Sequence, residues 1–479
     1  MSILSELDRS FLRRLAVALP ARPTEYADLF LERTRHLSFR RDREGGGPAI
    51  AGGAEGSAAR LMTADQVRHA AIGSLDPAEV AALPQRLRAS GGPSGAPGED
   101  RPAPADAPPA RAAGGRDRGA ALAAAGAADV DRYLEEVRAA ALGAAGPGAA
   151  AAARFEARAE CVTREVAVVT SEGEVAEDRR DWVAFSARFD GTRRDAGPFG
   201  VSEGGGAVDL GRLRAVHPPS QVGERLGRAL REGREAVPPP SGEMMVVLAP
   251  GPGGILFHEA CGHALEGDRA LKGRSALVDL FGEKVGPEGL TLVDDPTLAG
   301  LPGSMRVDDE GWPAARNVLI ESGRVVGLLL DRATALLAGT TPTGSARRES
   351  YRDLPLPRMS NTFILEGTHP PGEILASVAR GLYVAELGTG EVDTVTADFS
   401  FSVRRGYLIA GGRAVAPVAA AVVSGNGLRA LRGIEMIGMD LRFDAGAGEC
   451  GKEGQRARAS VGQPTIKVAG LSVHPAGTR

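Results

Sequence analysis

Met244-Met245-Val246-Val247-Leu248-Ala249-Pro250-Gly251-Pro252-Gly253-Gly254-Ile255-Leu256-Phe257-His258-Glu259-Ala260-Cys261-Gly262-His263 decides the architecture of the second half of the chain. Met244 to Leu248 is a short continuous apolar run of the kind that forms a buried strand. Pro250 to Gly254 ends it, because proline cannot extend a ladder and clustered glycines turn tightly. Ile255 then opens a helix bearing His258, Glu259 and His263. Strand, turn and helix in that order bring two imidazoles and a carboxylate to one end of a sheet.

The histidines are five residues apart, not the four of a His-Glu-x-x-His zinc helix. On an ideal α-helix, at ~100° per residue, they are about 140° out of register, too far to share an ion. A single turn with i→i+5 bonding brings them back towards one face. Gly262, a poor helix former, tolerates such a distortion, so the spacing predicts a bulged or kinked helix here.

A third donor lies far along the chain. Cys450 sits in the glycine-flanked stretch Gly448-Glu449-Cys450-Gly451-Lys452-Glu453-Gly454-Gln455, where the backbone can turn sharply and present a thiolate. Two His, one Cys and an open position make a tetrahedral catalytic zinc site, one Zn2+ per chain. Glu259 beside it is then the general base and not a ligand. Cys261, Glu266 and Asp268 are further donors within reach if the helix unwinds early. The plainer readings are a small buried thiol for Cys261 and, for Glu266, a carboxylate that orients an imidazole N–H.

These segments also carry a family resemblance. His258-Glu259-Ala260-Cys261-Gly262-His263-Ala264-Leu265-Glu266-Gly267-Asp268 resembles the signature of the TldD side of the TldD/PmbA family of bacterial metallopeptidases. Thr341 to Tyr351, Leu356 to Thr362, Cys450 to Gln455 and Val461 to Thr465 match in the same order, so the resemblance covers most of the chain after residue 240. It implies zinc held by His258, His263 and Cys450, with Glu259 catalytic. It also implies trimming of peptides or unfolded protein segments, among them microcin precursors and labile antitoxins, by a heteromer with a PmbA (TldE)-like subunit. That partner typically lacks the His-Glu motif, so this chain resembles the catalytic subunit; a homodimer is the other assembly considered.

Outward from the motif, Pro238-Pro239-Pro240 cannot continue a helix or join a central strand, and the expected division is residues 1–236 and 241–479. The first part reads as α+β: an amphipathic helix through Leu4, Leu7, Phe11 and Leu15, a strand over Tyr26–Phe39, a helix starting at Thr63, and a hairpin closed around Ser171-Glu172-Gly173. Residues 91–128, rich in Ala, Gly and Pro, read as a flexible low-complexity insertion, or else their alanine-rich end runs into a helix through Tyr133. The second part reads as strand-rich around one metal-binding helix, with a hairpin about Glu321-Ser322-Gly323 and an alternating strand from Val395 to Val403. The fold class is α+β throughout.

The chain has 479 residues and a net charge of −4 from 57 basic and 61 acidic side chains, which gives no electrostatic footprint for nucleic acid. Three cysteines argue against a disulfide framework and for the cytoplasm, and no apolar run approaches the ~20 residues of a membrane span. Tyr351, Arg358 and Asn361 are the candidate substrate contacts, Tyr351 for a developing oxyanion. Asp294-Asp295 and Asp308-Asp309-Glu310 read as turn caps or solvated faces and not as a second metal site. The alternatives to a peptidase are a non-catalytic scaffold subunit and a zinc hydrolase of a small amide.

Overall fold

The computed structural model describes residues 3–20, 22, 25–63, 66–89, 118–193, 197–444 and 448–476. Of the expected flexible insertion, residues 91–117 lie outside the described ones. Its end is helical: a helix spans Arg118–Ala145, in line with the alternative reading. Val130, Tyr133, Leu134, Val137 and Ala141 form its buried stripe. Close packing against the helix Pro219–Arg234 explains two glycines there. A Cβ on Gly223 would lie 2.5 Å from Ala140 Cβ, and one on Gly227 2.6 Å from Ala141 O.

The first half is built on a six-stranded antiparallel sheet in the order Val67–Ile72, Ile50–Met62, Tyr26–Asp42, Arg154–Thr170, Val175–Thr192, Pro198–Ala207. Its long strands serve two cores. Near one end Leu29, Leu31, Ala167 and Val169 pack under the N-terminal helices, and near the other Phe155, Phe185 and Phe189 pack under the helix pair just described.

Two local expectations are corrected. The segment after Thr63 is an edge strand, Val67–Ile72, and not a helix. Thr63 Oγ1 does accept from Gln66 N at 3.0 Å, the bond expected of an N-cap, but it closes a turn between strands. Pairing with Ile50–Met62 outweighs the local preference. The N-terminal helix is also two, Ile3–Glu6 and Arg9–Val17, restarted by Asp8 capping Ser10 N at 2.8 Å.

Besides two small two-stranded sheets, the second half holds two large ones with the metal segment between them. In one, Arg380–Val392, Gly242–Leu248, Ile466–Pro475, Ala421–Asn426 and Asp398–Ala410 run side by side, and the first pairs again with the last, so five strands close on themselves. The other has the order Arg324–Val325, Asn317–Glu321, Leu292–Asp294, Asn361–Ile364, Ser460–Gln463, Arg442–Phe443. The hairpin about Glu321-Ser322-Gly323 is present, but its second strand spans only Arg324–Val325; further on, Leu329 N donates to Leu265 O at 2.9 Å, against the metal segment. The strand expected from Val395 begins at Asp398 instead, after Ala397 at φ 63°.

A polar seam joins the halves. Asp28 and Glu32 alternate with Leu29 and Leu31, so they face the opposite side of the sheet, towards the second half. Arg60 Nε donates to Asp28 Oδ2 at 2.9 Å and its Nη1 to Glu310 Oε1 at 2.5 Å, all three residues being buried. Asp309 pairs with Arg180 at 2.9 Å, and Tyr351 N donates to Glu32 Oε2 at 2.6 Å. Asp308 and Asp295 do cap turns, but none of the five acidic residues is solvated: all are at least 96% buried. Asp309 and Glu310 find their arginines, Arg180 and Arg60, far away in sequence, while Asp294 is held by Ser360 and Thr362 and Asp308 by Ala346 N–H, so a local reading places them at the surface.

Removing one member of a buried ion pair strands the others. Arg60→Met, which leaves Asp28 and Glu310 facing each other without their cation, is expected to lower unfolding free energy by about 3–5 kcal/mol in a urea titration. A loss under ~1 kcal/mol would mean that the seam is not holding the halves together.

Candidate metal centre

The metal segment changes helical type three times in a few residues: a 3-10 turn at Pro252–Gly254, an α turn at Ile255–Phe257, a π turn at His258–Gly262 and a 3-10 turn at His263–Leu265. His263 N–H donates to His258 O, the i→i+5 bond that the histidine spacing requires. The imidazoles stand edge to face with centroids 5.3 Å apart. Leu256, Phe257, Ala260, Cys261, Ala264 and Leu265 anchor the segment in the core between the sheets. Glycines admit it: a Cβ on Gly254 would meet Gly462 O at 2.9 Å, and one on Gly262 would meet Met359 Sδ at 2.1 Å.

Cys450 arrives on a two-residue hairpin, Glu449–Lys452 paired with Gln455–Arg458. Its turn residues Glu453 and Gly454 both have positive φ, 49° and 74°, as a tight hairpin of this twist demands. Cys450 faces inward, 2% exposed, with Sγ 3.4 Å from His263 Nε2. Donor atoms of His258, His263 and Cys450 all lie within 4.8 Å of one another, the one such group among the described residues. Tetrahedral zinc with Zn–N ~2.0–2.1 Å and Zn–S ~2.3 Å sets N and S about 3.5 Å apart. The observed spacing and the two-imidazole, one-thiolate set therefore fit zinc.

Charges in the site support a thiolate. Burial alone would raise the Cys450 thiol, but His263 and hydrogen bonds from both imidazoles hold it well below the usual thiol range. Burial would also lower His263, yet Glu266 and Cys450 hold it well above the usual imidazole value. Glu266, itself fully buried, is brought down to about 2 against its desolvation by His263 and Lys452. Its Oε2 lies 2.9 Å from His263 Nδ1, so Glu266 orients the imidazole as expected. Cys261 points into the core, where burial pushes its thiol up to about 12. Glu259 is the site's route to solvent: its side chain is 30% exposed, with Oε2 3.6 Å from His263 Nε2.

Tyr351, Arg358 and Asn361 are all buried among the chain's own groups, and Arg358 keeps Nε and Nη1 without a hydrogen-bond partner among the described residues. Tyr351 packs on Phe30, Val166 and Val168 of the first sheet. Arg358 is fully buried behind the hairpin and donates to Cys450 O and Gln455 O. Asn361 donates to Asp295 O at 2.9 Å and accepts from Gly303 N at 3.0 Å. Two residues at the site escaped sequence reading, Lys452 and Met359. For Lys452 the signal was available: two residues beyond Cys450 on a strand, it shares the thiol's face.

Gly262 thus has two duties, π-turn tolerance and contact with Met359. Gly262→Ala is expected to lower the melting temperature by the equivalent of about 1–3 kcal/mol, with Met359→Ala in the same chain relieving the clash. Equal melting of Gly262→Ala and the parent would show that the turn is not pinned there.

Residues 241–475 match the family model described as the PmbA/TldA metallopeptidase C-terminal domain. The Metalloprotease TldD homolog of Buchnera aphidicola subsp. Acyrthosiphon pisum is 36% identical over 322 residues, 64% of this chain and 65% of that protein. The chain therefore spans just under two thirds of that relative's length. The Metalloprotease TldD homolog of Haemophilus influenzae is 37% identical over 329 residues, 67% of each protein. TldE from Thermococcus kodakarensis shares the fold, with a TM-score of 0.74 over 99% of this chain and 100% of that one at 18% identity. On the matched domain and these relatives, the chain belongs to the PmbA/TldD family of metallopeptidases.

Proposed function

We propose that this chain is a zinc-dependent peptidase that hydrolyses peptide bonds in peptides or unfolded protein segments. The observation that carries the reading is the convergence of His258, His263 and Cys450 within 4.8 Å, with the part-exposed carboxylate of Glu259 beside them. Zinc bound there supplies a Lewis acid that works at neutral pH. Glu259 is the residue placed to take a proton from the attacking water and to return it to the leaving amine as the C–N bond breaks. Glu266 keeps the His263 ring oriented through the cycle.

A scaffold role would not require a complete donor set with an oriented imidazole and a free carboxylate. A cleft of about 560 Å³ lies between the first sheet and the outer side of the Cys450 hairpin, with Glu32, Arg164, Trp182, Glu449 and Arg458 on its walls, and none of His258, Glu259, His263 or Cys450 lines it. The partner we propose is a PmbA/TldE-type subunit, with a homodimer as the alternative. Three free cysteines accord with the reducing cytoplasm, and among the described residues no helix is long and apolar enough to cross a membrane.

Elemental analysis and peptide cleavage on three purified chains test the reading. The parent is expected to hold about one zinc, Cys450→Ala to lose it, and Glu259→Ala to keep it while kcat falls about 10²–10⁴-fold. Undiminished turnover in Glu259→Ala would remove the general base from the mechanism.

A further inference from the structure

We propose that Lys452 is a positioning residue for the metal centre: a single ammonium that steadies His263 through Glu266 and sets how deeply the Cys450 hairpin seats against the metal segment. The inference rests on the zinc reading and extends it to a residue that touches neither metal nor substrate.

Cys450 and Lys452 alternate with exposed Glu449 and Gly451, so thiol and ammonium leave the strand on the same buried face. The Lys452 side chain has no exposed surface. Its three N–H donors match three acceptors: Glu266 Oε2 at 3.0 Å, Asp268 Oδ1 at 2.6 Å and Pro357 O at 2.7 Å. Two belong to the segment that follows the histidines and the third to the strand Leu356–Pro357. The hairpin that brings the thiolate is thereby bolted to the segment that brings the imidazoles.

The arrangement at Glu266 makes the bolt specific. Its Oε2 is shared between His263 Nδ1 and Lys452 Nζ, while Oε1 is buried with no hydrogen-bond partner. Among the described residues, only Arg269 at 3.7 Å joins His263 and Lys452 near the carboxylate's charge. Without Lys452 the carboxylate is free to turn, and the imidazole loses the partner that sets its ring plane and tautomer. Outer partners of metal-binding histidines usually account for about 10–100-fold in metal affinity. The competing account is that Lys452 only neutralises Asp268.

The test uses the full chain and two readouts other than turnover: the zinc dissociation constant by competition with a chromophoric chelator, and the visible spectrum of the cobalt(II)-substituted protein. Lys452→Met is expected to bind zinc about 10–100-fold more weakly and to shift the cobalt d–d and thiolate charge-transfer bands, which a loss of stability alone would not do. Lys452→Met with Asp268→Asn restores the charge balance and should recover neither. Parental affinity and spectrum in folded Lys452→Met, or recovery of both in the double variant, would overturn the proposal. If Lys452→Met does not fold, Glu266→Gln decides: it should weaken zinc in the same direction, and unchanged affinity sinks the idea. A parent chain that binds no zinc overturns the metallopeptidase reading and this inference with it, whereas a zinc-binding parent isolates the role of Lys452.

Discussion

One backbone hydrogen bond governs the arrangement of the whole site: His263 N–H to His258 O, five residues back. An α-helical register here would turn one imidazole away from the other, and no movement of the hairpin could repair that. The π turn widens the helix, and the neighbouring structure is cut to receive it, with Gly262 bare against Met359 and Gly254 against Gly462. Short 3-10 turns on either side return the chain to the surrounding packing. Such a turn gives up ordinary helical bonding, and the apolar residues buried between two sheets compensate for it.

The rest of the molecule serves to hold that turn opposite a hairpin from much later in the chain. The closed strand array backs one side and the second sheet the other, while the six-stranded sheet of the first half presses Tyr351 and a row of buried carboxylates against the segments leading to the hairpin. Arg347, whose backbone neighbour Arg348 is bound to Asp309, reaches from that seam to Met359 O at 2.7 Å. Residues of the seam between the halves and of the metal segment's surroundings are therefore in direct mechanical contact.

Sequence made the metal segment legible because a spacing of five between ligand histidines has few geometric solutions. Cys450 was legible from the glycines around it, and Glu266 from chemistry alone, since a buried imidazole N–H requires an acceptor. What sequence could not show was pairing at a distance. Arg60 and Glu310 are separated by 250 positions, and neither one's surroundings announces the other. The same distance hides that Arg358 reaches the hairpin carbonyls Cys450 O and Gln455 O, and that Asn361 binds Asp295 O and Gly303 N. At Thr63 the cap was real and the helix was not, because an adjacent strand edge offered the backbone more bonds than a helix would.

The distance between the donors has a consequence for the order in which activity comes into being. On this donor set His263 and Cys450 are 187 residues apart, and the strand Ile466–Pro475, which runs between Gly242–Leu248 and Ala421–Asn426, is synthesised later still. A growing polypeptide that already displays the His-Glu motif therefore still lacks the third donor of the proposed site. On the proposed reading, the metal site is completed only when nearly the whole second half has been made and closed.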